Sequence, residues 1–197
     1  MLLIAHSLRR AGYRTLSPSY GFRRSMPAIL DVLEPRLAAF ARGGPGPLHI
    51  VTHSLGGLVA RALITQNRPP GLGRVVMLAP PNCGSEIADI LCRYQLDSAI
   101  LGPVGRHLHT QRSRADEALL GKVDFELGVI AGDRPIAPIL PRLLPRPNDG
   151  LVSVAATRLD GMADHITLPV DHTRMIHNRQ VIMQTLAFLE TGAFRRQ

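Results

Sequence analysis

The chain has 197 residues, of which 45% are hydrophobic and 19% are charged, a composition typical of one folded domain and not of a disordered chain. Its net charge is +8 at pH 7, but the basic residues are spread along the whole sequence, and aromatic residues make up only 4%. Nucleic-acid sites need clustered charge or aromatic stacking platforms, so we expect no nucleic-acid partner. No apolar stretch is long enough to cross a bilayer, so we expect no transmembrane segment.

The N-terminal segment is apolar first, over residues 1–5, and basic later, at Arg9 and Arg10. A secretory signal peptide has the opposite order, with its basic residues ahead of the apolar stretch. We therefore expect a cytoplasmic protein by default, provided that Met1 is the true start. The same segment has helical spacing, and Gly12 is a suitable residue to end that helix.

Helical and strand patterns alternate along the chain. The predicted strands cover residues 14–20, 48–52, 74–79, 125–131 and 165–170, and the predicted helices cover residues 2–11, 26–42, 55–67, 86–93 and 175–189. Alternation of helices with apolar strands predicts an α/β fold with a mostly parallel sheet, in one domain over residues 1–197. Functional sites in such sheets lie at the carboxyl ends of the strands.

Two segments between these elements are less regular. Residues 94–121 lack periodicity and are predicted to form a polar excursion above the sheet, which could be a cap or a substrate-side loop. The histidines within it, His107 and His109, are interpreted as solvated loop residues. A proline-rich stretch, 135–147, is predicted to be a stiff surface loop. 

The cysteines Cys83 and Cys92 define neither a disulfide framework nor a metal cluster, and we interpret them as small, buried or half-buried residues. Nothing in the sequence predicts a metal ion or another cofactor. In the loop after the 74–79 strand, Ser85 is predicted to be the N-cap of the next helix. A contact of Asn82 or Ser85 with a substrate is the alternative interpretation, because this loop lies at the carboxyl end of a strand.

Residues 51–57 read Val-Thr-His-Ser-Leu-Gly-Gly and connect a predicted strand to a predicted helix. A nucleophile elbow has this strand–turn–helix context, with the serine, here Ser54, on a strained turn above the sheet. The backbone N–H of Leu55 would then point towards a developing oxyanion. Thr52 replaces the first glycine of the usual G-x-S-x-G pattern. A serine before two glycines could also simply be a turn that opens a helix.

A serine hydroxyl needs a base to become a nucleophile, and the base is usually a histidine that a buried carboxylate orients. We expect His172 to be the base because it follows the last predicted strand at its carboxyl end. The other histidines downstream of the serine are His107, His109, His165 and His177. His107 and His109 lie in the excursion, His165 lies at the wrong end of the last predicted strand, and His177 lies in the final predicted helix.

The orienting carboxylate should follow the strand at 125–131. Asp133 and Asp149 both do so, and Asp149 is favoured because the Asn-Asp-Gly turn would hold a carboxylate rigidly. Asp133 is the alternative, although Arg134 could simply pair with it at the surface. The alternative interpretation of Asp149 is an ordinary Asp-Gly turn. Asp171 is adjacent to His172, and adjacent side chains commonly point apart.

Four segments together resemble the α/β-hydrolase superfamily, on the side of the small lipases and esterases, such as the bacterial triacylglycerol-lipase and GPI inositol-deacylase-like group. The segments are residues 51–57, 76–85, 148–153 and 170–173. The resemblance implies Ser54 as nucleophile, Asp149 as orienting acid and His172 as general base and acid. It also implies hydrolysis of a small-molecule or lipid ester through an acyl-enzyme.

The family's pattern also includes a strand that ends in a His-Gly turn, which supplies a second oxyanion donor. No His-Gly pair occurs in the sequence. We therefore expect an α/β-hydrolase fold without this N-terminal strand, with Met1 as an internal start or the chain as a truncated copy. Loss of this central strand would leave segments 14–20 and 48–52 either paired directly or separated by a gap.

The missing donor leaves three functions open. Loss of one oxyanion donor reduces the rate of such enzymes about 10²–10³-fold. The first possibility is a serine ester hydrolase, and the second is a catalytically impaired binding protein that keeps the same side chains. The third is an acyltransferase that uses the same side chains.

Overall fold

Four parallel strands form one sheet in the computed structural model, which describes residues 1–21, 23–135 and 144–196. The strands are β1 (Leu48–His53), β2 (Leu72–Leu78), β3 (Leu127–Gly132) and β4 (Asp164–Leu168), and their spatial order equals their order in the sequence. Every neighbouring pair is parallel. The α/β fold class with a parallel sheet is therefore confirmed.

Helices cover both faces of the sheet. They are α1 (Leu2–Arg10), α2 (Met26–Arg42), α3 (Leu55–Gln66), α4 (Glu86–Arg93), α5 (Asp97–Leu101), α6 (Arg114–Leu120) and α7 (Arg179–Thr191), with 3-10 turns at Pro103–Leu108 and Arg174–His177. The final helix begins later than predicted. The 3-10 turn precedes it, and the side chain of Asn178 then caps α7 by accepting hydrogen bonds from the N–H groups of Gln180 and Val181.

Alternate side chains of β2 pack against helices on opposite faces of the sheet. Val76 and Leu78 pack with residues of α1 and α7, including Phe188. Val75 and Met77 point the other way and pack with residues of α3. Successive side chains of a strand face opposite sides of the sheet, so a continuous apolar run is what a strand buried on both faces requires. No helix in the described ranges is long and apolar enough to span a bilayer.

The predicted strand at 14–20 is absent, and this expectation is wrong. The segment pairs with no strand, because a cavity of about 380 Å³ separates it from β1. Tyr13 and Leu16 line one side of the cavity, and Leu48 and Val51 line the other. Segments 14–20 and 48–52 are therefore separated by a gap and are not paired directly, which were the two expected outcomes. Within the described residues β1 has β2 as its single neighbour.

Residues 94–121 are more ordered than predicted, since they contain α5, a 3-10 turn and α6. Arg112 holds this excursion against the loop after β2. Its guanidinium is 2% exposed and donates hydrogen bonds to the carbonyls of Pro81, Asn82 and His107.

The interpretation of His107 as a solvated loop residue is wrong. The residue is 2% exposed, and its Nδ1 lies 3.2 Å from a carboxylate oxygen of Asp116 on α6. The residue is buried because the excursion folds back on itself between α5 and α6. The two cysteines are exposed, which also corrects the expectation that they are buried or half-buried. Of the proline-rich loop predicted at 135–147, residues 136–143 lie outside the described residues.

Candidate functional site

Ser54 lies between the end of β1 and the start of α3, in a backbone conformation with φ 54° and ψ −126°. A positive φ is strained for a residue other than glycine, and such strain persists only where the surroundings enforce it. Two short hydrogen bonds do so here. The N–H of Ser54 donates to the carbonyl of Leu78 at 2.8 Å, and the N–H of Gly57 donates to the carbonyl of Ser54 at 2.9 Å.

The two glycines after the serine allow the helix to approach the sheet. A Cβ atom at Gly57 would lie 2.8 Å from Cβ of Pro80, and one at Gly56 would lie 3.3 Å from Cβ of Thr52. Contacts below 3 Å force the backbone or the neighbouring side chain to shift, so Gly57 is the tighter position. Thr52, which stands where a glycine is usual, fits with its hydroxyl buried and without a hydrogen-bond partner among the described residues.

The backbone N–H of Leu55 is the first of α3. The first N–H groups of a helix have no acceptor within that helix, and they form the positive end of its dipole. The N–H of Leu55 therefore lies directly after Ser54 with the electrostatic character that a negatively charged oxygen needs.

Asp149 and His172 form a buried pair. Nδ1 of His172 lies 2.7 Å from Oδ2 of Asp149, and the two residues are 6% and 1% exposed. The other carboxylate oxygen of Asp149 accepts hydrogen bonds from the N–H groups of Leu151 at 3.0 Å and Val152 at 2.8 Å. The N–H of His172 also donates to the carbonyl of Asp149 at 3.0 Å. The side chains and the backbones of the two loops are thus joined.

Gly132, at the end of β3, lets these two loops come together. A Cβ atom at this position would lie 2.3 Å from the carbonyl oxygen of Val170 and 2.9 Å from Cβ of Asp149. The loop after β4 and the turn that carries Asp149 therefore close over a glycine. Gly132 was not predicted from the sequence as a site residue, although a glycine at the carboxyl end of a buried strand is a recognisable signal of close approach.

The other two candidate carboxylates have different neighbours. Asp133 faces Arg134, with 3.6 Å between a carboxylate oxygen and Nε of the arginine. Asp171 accepts hydrogen bonds from the N–H groups of Thr173 and Arg174 and so opens the 3-10 turn. The geometry thus brings Asp149 to His172, and brings neither of the alternatives there.

The remaining downstream histidines lie elsewhere. His165 has Nε2 3.0 Å from the hydroxyl oxygen of Thr157, and burial lowers the pKa of His165 to about 4. His107 and His109 face carboxylates of the excursion, and His177 ends the 3-10 turn before α7. Within the described ranges, none of these side chains forms a hydrogen bond with Asp149 or Ser54.

His53 connects the serine turn to the histidine loop. Its Nε2 lies 3.0 Å from the carbonyl oxygen of His172, and the two imidazole rings are 4.7 Å apart between centroids. Burial lowers the pKa of His53 to about 4, and the neighbouring ring of His172 adds to this shift. A neutral His53 can donate from Nε2 to the carbonyl. No role was predicted for His53 from the sequence, although it immediately precedes Ser54.

The serine hydroxyl itself forms no hydrogen bond with any described residue, so the structure brings Ser54 near His172 through His53 and not through a Ser54–His172 bond. Such contacts are commonly long in an enzyme without substrate and tighten when substrate binds. The arrangement therefore contains one preformed pair, Asp149 with His172, and one strained serine on the adjoining loop.

The loop after β2 braces the Asp149 turn. Ser85 precedes α4 in the N-cap position but makes no cap hydrogen bond with its side chain, and its hydroxyl donates to the carbonyl of Leu151 at 3.1 Å instead. The amide of Asn82 donates to the carbonyl of Thr157 at 2.9 Å. Both residues are buried, so their side chains support the turn between Asn148 and Thr157.

Comparison with known proteins agrees with this fold. The model of the alpha/beta hydrolase family matches residues 2–187. The mature lipase BlEst2 of Bacillus licheniformis has a similar structure, with a TM-score of 0.69 at 20% identity over 96% of this chain and 83% of the lipase. The comparison with curated protein sequences gave no match.

Two further solved structures are similar. The phospholipase PlaB of Legionella pneumophila has a TM-score of 0.71 at 16% identity over 96% of this chain and 56% of its own. A metagenomic carboxyl esterase has a TM-score of 0.66 at 17% identity over 87% of this chain and 58% of its own. The chain thus spans little more than half the length of these two proteins. With nearly its whole length matched by the family model, this chain belongs to the alpha/beta hydrolase family.

Proposed function

We propose that this protein is a serine hydrolase that cleaves carboxylic esters through an acyl-enzyme on Ser54. The observation that carries the proposal is the buried pair of Asp149 and His172, with 2.7 Å between Nδ1 and Oδ2. A buried carboxylate held by backbone N–H groups beside an imidazole ring can fix the tautomer and orientation of the ring and stabilise its protonated form.

In this mechanism, Oγ of Ser54 attacks the ester carbonyl while Nε2 of His172 accepts the hydroxyl proton. Asp149 holds the proton on Nδ1 and stabilises the imidazolium that forms. The backbone N–H of Leu55 donates to the negatively charged oxygen of the tetrahedral intermediate. His172 then returns the proton to the leaving alcohol, and water releases the acyl group by the same steps in reverse.

The substrate class follows from the chemistry that the similar proteins share. Their names describe a lipase, a phospholipase and a carboxyl esterase. Each of these activities can release an acyl group from a carboxylic ester. We therefore propose a small-molecule or lipid ester as the substrate of this chain, with no metal ion or cofactor in the acyl-transfer steps.

One observation favours a second function, an ester-binding protein with little turnover. The sequence contains no His-Gly pair, and Leu55 is the one backbone oxyanion donor that the described residues suggest. With a single donor, the tetrahedral intermediate would be less stabilised. The rate of ester hydrolysis would be about 10²–10³-fold lower. Such a protein would bind an ester without accumulating an acyl-enzyme.

Covalent labelling separates the two functions. A fluorophosphonate probe should label the wild-type chain and Ser98→Ala, in which an exposed serine of α5 is replaced, and should not label Ser54→Ala. Hydrolysis of p-nitrophenyl esters should follow the same pattern. Saturable ester binding without labelling or an acyl-enzyme burst would instead support the binding protein. Addition of an alcohol acceptor, followed by product analysis, would reveal acyl transfer.

A further inference from the structure

Three metal-binding side chain types meet in and beside the excursion, away from the residues of the serine site. Cys92 lies in the last turn of α4, Asp97 is the first residue of α5, and His109 directly follows the 3-10 turn Pro103–Leu108. One sulfur, one carboxylate oxygen and one ring nitrogen from these residues all lie within 4.8 Å of one another.

The ring of His109 is held between two carboxylates. Its Nδ1 lies 3.3 Å from a carboxylate oxygen of Asp89, and its Nε2 lies 3.6 Å from a carboxylate oxygen of Asp97. Asp89 is fixed in turn, since the same oxygen accepts a hydrogen bond from the N–H of Thr110 at 3.0 Å. Nδ1 thus faces Asp89, and Nε2 faces Asp97.

We propose that Cys92, Asp97 and His109 form a binding site for one zinc-class divalent metal ion. Thiolate sulfur, imidazole nitrogen and carboxylate oxygen are the three ligand types that Zn²⁺ takes in proteins. A metal-bound histidine almost always donates its other ring N–H to a carboxylate or carbonyl group, which fixes the ring and strengthens the ligand. Asp89 has this position relative to His109.

To bind one metal ion, the three ligand atoms must move slightly closer together. With metal–ligand bonds of about 2.0–2.3 Å, the ligand atoms of a tetrahedral site are roughly 3.3–3.8 Å apart. The separation of 3.6 Å between His109 and Asp97 is already within this range. The remaining contraction falls on Cys92, which is exposed and whose sulfur moves by rotation about one side-chain bond. A fourth position stays open to water.

Metal binding would join three segments of chain that few other side-chain bonds connect. The ligands come from the end of α4, the start of α5 and the end of the 3-10 turn, so one ion would fix the fold of the first half of the excursion. This effect on the fold does not depend on the proposed ester hydrolysis. The three ligands form no recognisable motif in the sequence. Cys92 and His109 are separated along the chain and are brought together only by the folding of the intervening helices.

Cobalt substitution tests the site directly. Tag-free, chelator-treated protein should bind about one equivalent of Co²⁺ per chain and develop a thiolate-to-cobalt charge-transfer band, which Zn²⁺ should abolish by displacement. Cys92→Ser should lose the band. Cys83→Ser, which replaces the other exposed cysteine, is the matched control and should keep it. Asp97→Asn and His109→Gln should weaken binding at least 10-fold, and Asp89→Asn by about 10–100-fold, as measured for partners of metal-bound histidines.

A second measurement distinguishes the loss of a metal ligand from misfolding of the variant. Zn²⁺ at about 100 times its dissociation constant should raise Tm of the wild type and of Cys83→Ser by about 5–10 °C, with a smaller shift for Cys92→Ser. Ser54→Ala should bind Co²⁺ as the wild type does, so the result is independent of the hydrolase mechanism. Equal binding by Cys92→Ser and wild type would overturn the proposal. So would the absence of stoichiometric Co²⁺ binding by the wild type.

Discussion

Nε2 of His53 lies 3.0 Å from the carbonyl oxygen of His172. This contact joins the residue before the serine to the proposed base, although two strands, β2 and β3, lie between β1 and β4 in the sheet. The distance between Ser54 and His172 therefore depends on a hydrogen bond that neither of them makes with its own side chain.

Removal of the His53 donor should lower activity, although His53 takes no part in the proposed acyl-transfer steps. We expect His53→Leu to reduce kcat/KM for a p-nitrophenyl ester about 5–10-fold, since a neutral hydrogen bond contributes about 1 kcal/mol. His53→Gln, which keeps an N–H donor at a similar reach, should restore most of the activity. Equal losses in the two variants would mean that the ring contributes by packing and not by its hydrogen bond.

Asp149 should matter through the tautomer of His172. We expect Asp149→Asn to reduce kcat about 10⁴-fold, as the corresponding change does in serine proteases, because the amide can donate to Nδ1 and so stabilises the wrong tautomer. Asp133→Asn, at the alternative carboxylate, is the control and should remain within a few-fold of wild type. A larger loss for Asp133→Asn than for Asp149→Asn would reassign the orienting acid.

The buried His53 also makes stability depend on pH. Its pKa of about 4 in the folded protein lies below the unfolded value of about 6.5. The unfolded chain therefore binds the proton first as pH falls. The contribution of neutral His53 is complete above pH 6.5 and decreases towards pH 4, by up to about 3 kcal/mol.

Urea unfolding at pH 7, 5 and 4 measures this dependence. Carboxylates add their own loss of stability at low pH, so the informative quantity is the difference between the wild type and His53→Gln, which has no titrating group at this position. The free energy of unfolding should fall more steeply with acidification in the wild type. Parallel curves for the two proteins would show that His53 does not titrate differently in the folded and unfolded states.

Gly57 should tolerate no side chain. The added methyl group of Gly57→Ala would lie 2.8 Å from Cβ of Pro80 and 3.3 Å from the sulfur of Met77, so α3 must move away from the sheet. We expect a loss of about 1–3 kcal/mol in the free energy of unfolding, as for other overpacked sites. Gly21→Ala, whose new methyl group would have no atom closer than 3.8 Å, should be close to neutral. Thermal unfolding of both variants checks this.

Arg112 should not be replaceable by lysine. Its guanidinium donates to three backbone carbonyls at once, and the single ammonium group of lysine cannot reproduce this fork. We expect Arg112→Lys to lower the free energy of unfolding by about 2–4 kcal/mol, because buried carbonyls lose their donors. Arg36→Lys, at an exposed position of α2, should be neutral. Similar stability of the two variants would contradict the role given to Arg112.

Periodicity in the sequence identified most of the fold for a physical reason. The strands predicted at 74–79 and 125–131 contain the apolar runs 75–79 and 127–131, because parallel strands inside a sheet are buried on both faces. Residues 14–20 are more polar, reading Arg-Thr-Leu-Ser-Pro-Ser-Tyr, and they have no partner strand among the described residues. A strand depends on backbone hydrogen bonds with a neighbour, and composition alone does not reveal whether that neighbour exists. The prediction of a strand was therefore wrong at residues 14–20, which face β1 across the cavity.

The candidate site was predictable to the extent that chain order and strand ends determine it. Asp149 and His172 were chosen on these grounds, while the choice against Asp133 needed the geometry, since both carboxylates follow β3. His107 was misread because its partner, Asp116, comes from α6, a helix that the sequence pattern did not reveal. Contacts between segments of weak periodicity are set by tertiary packing, which a single sequence does not encode in any local pattern.

The position of β1 at one end of the sheet has a consequence for the order in which the molecule loses structure. Within the described residues its peptide groups bond to β2 alone, as those of β4 bond to β3 alone, whereas β2 and β3 are bonded on both sides. Edge elements open with less free energy than central ones. The amides of β1 and β4 should thus exchange with deuterium sooner than those of β2 and β3, and low denaturant should separate the serine turn from the loop that carries His172. Inactivation by urea would then be reversible and would precede the loss of the folded core.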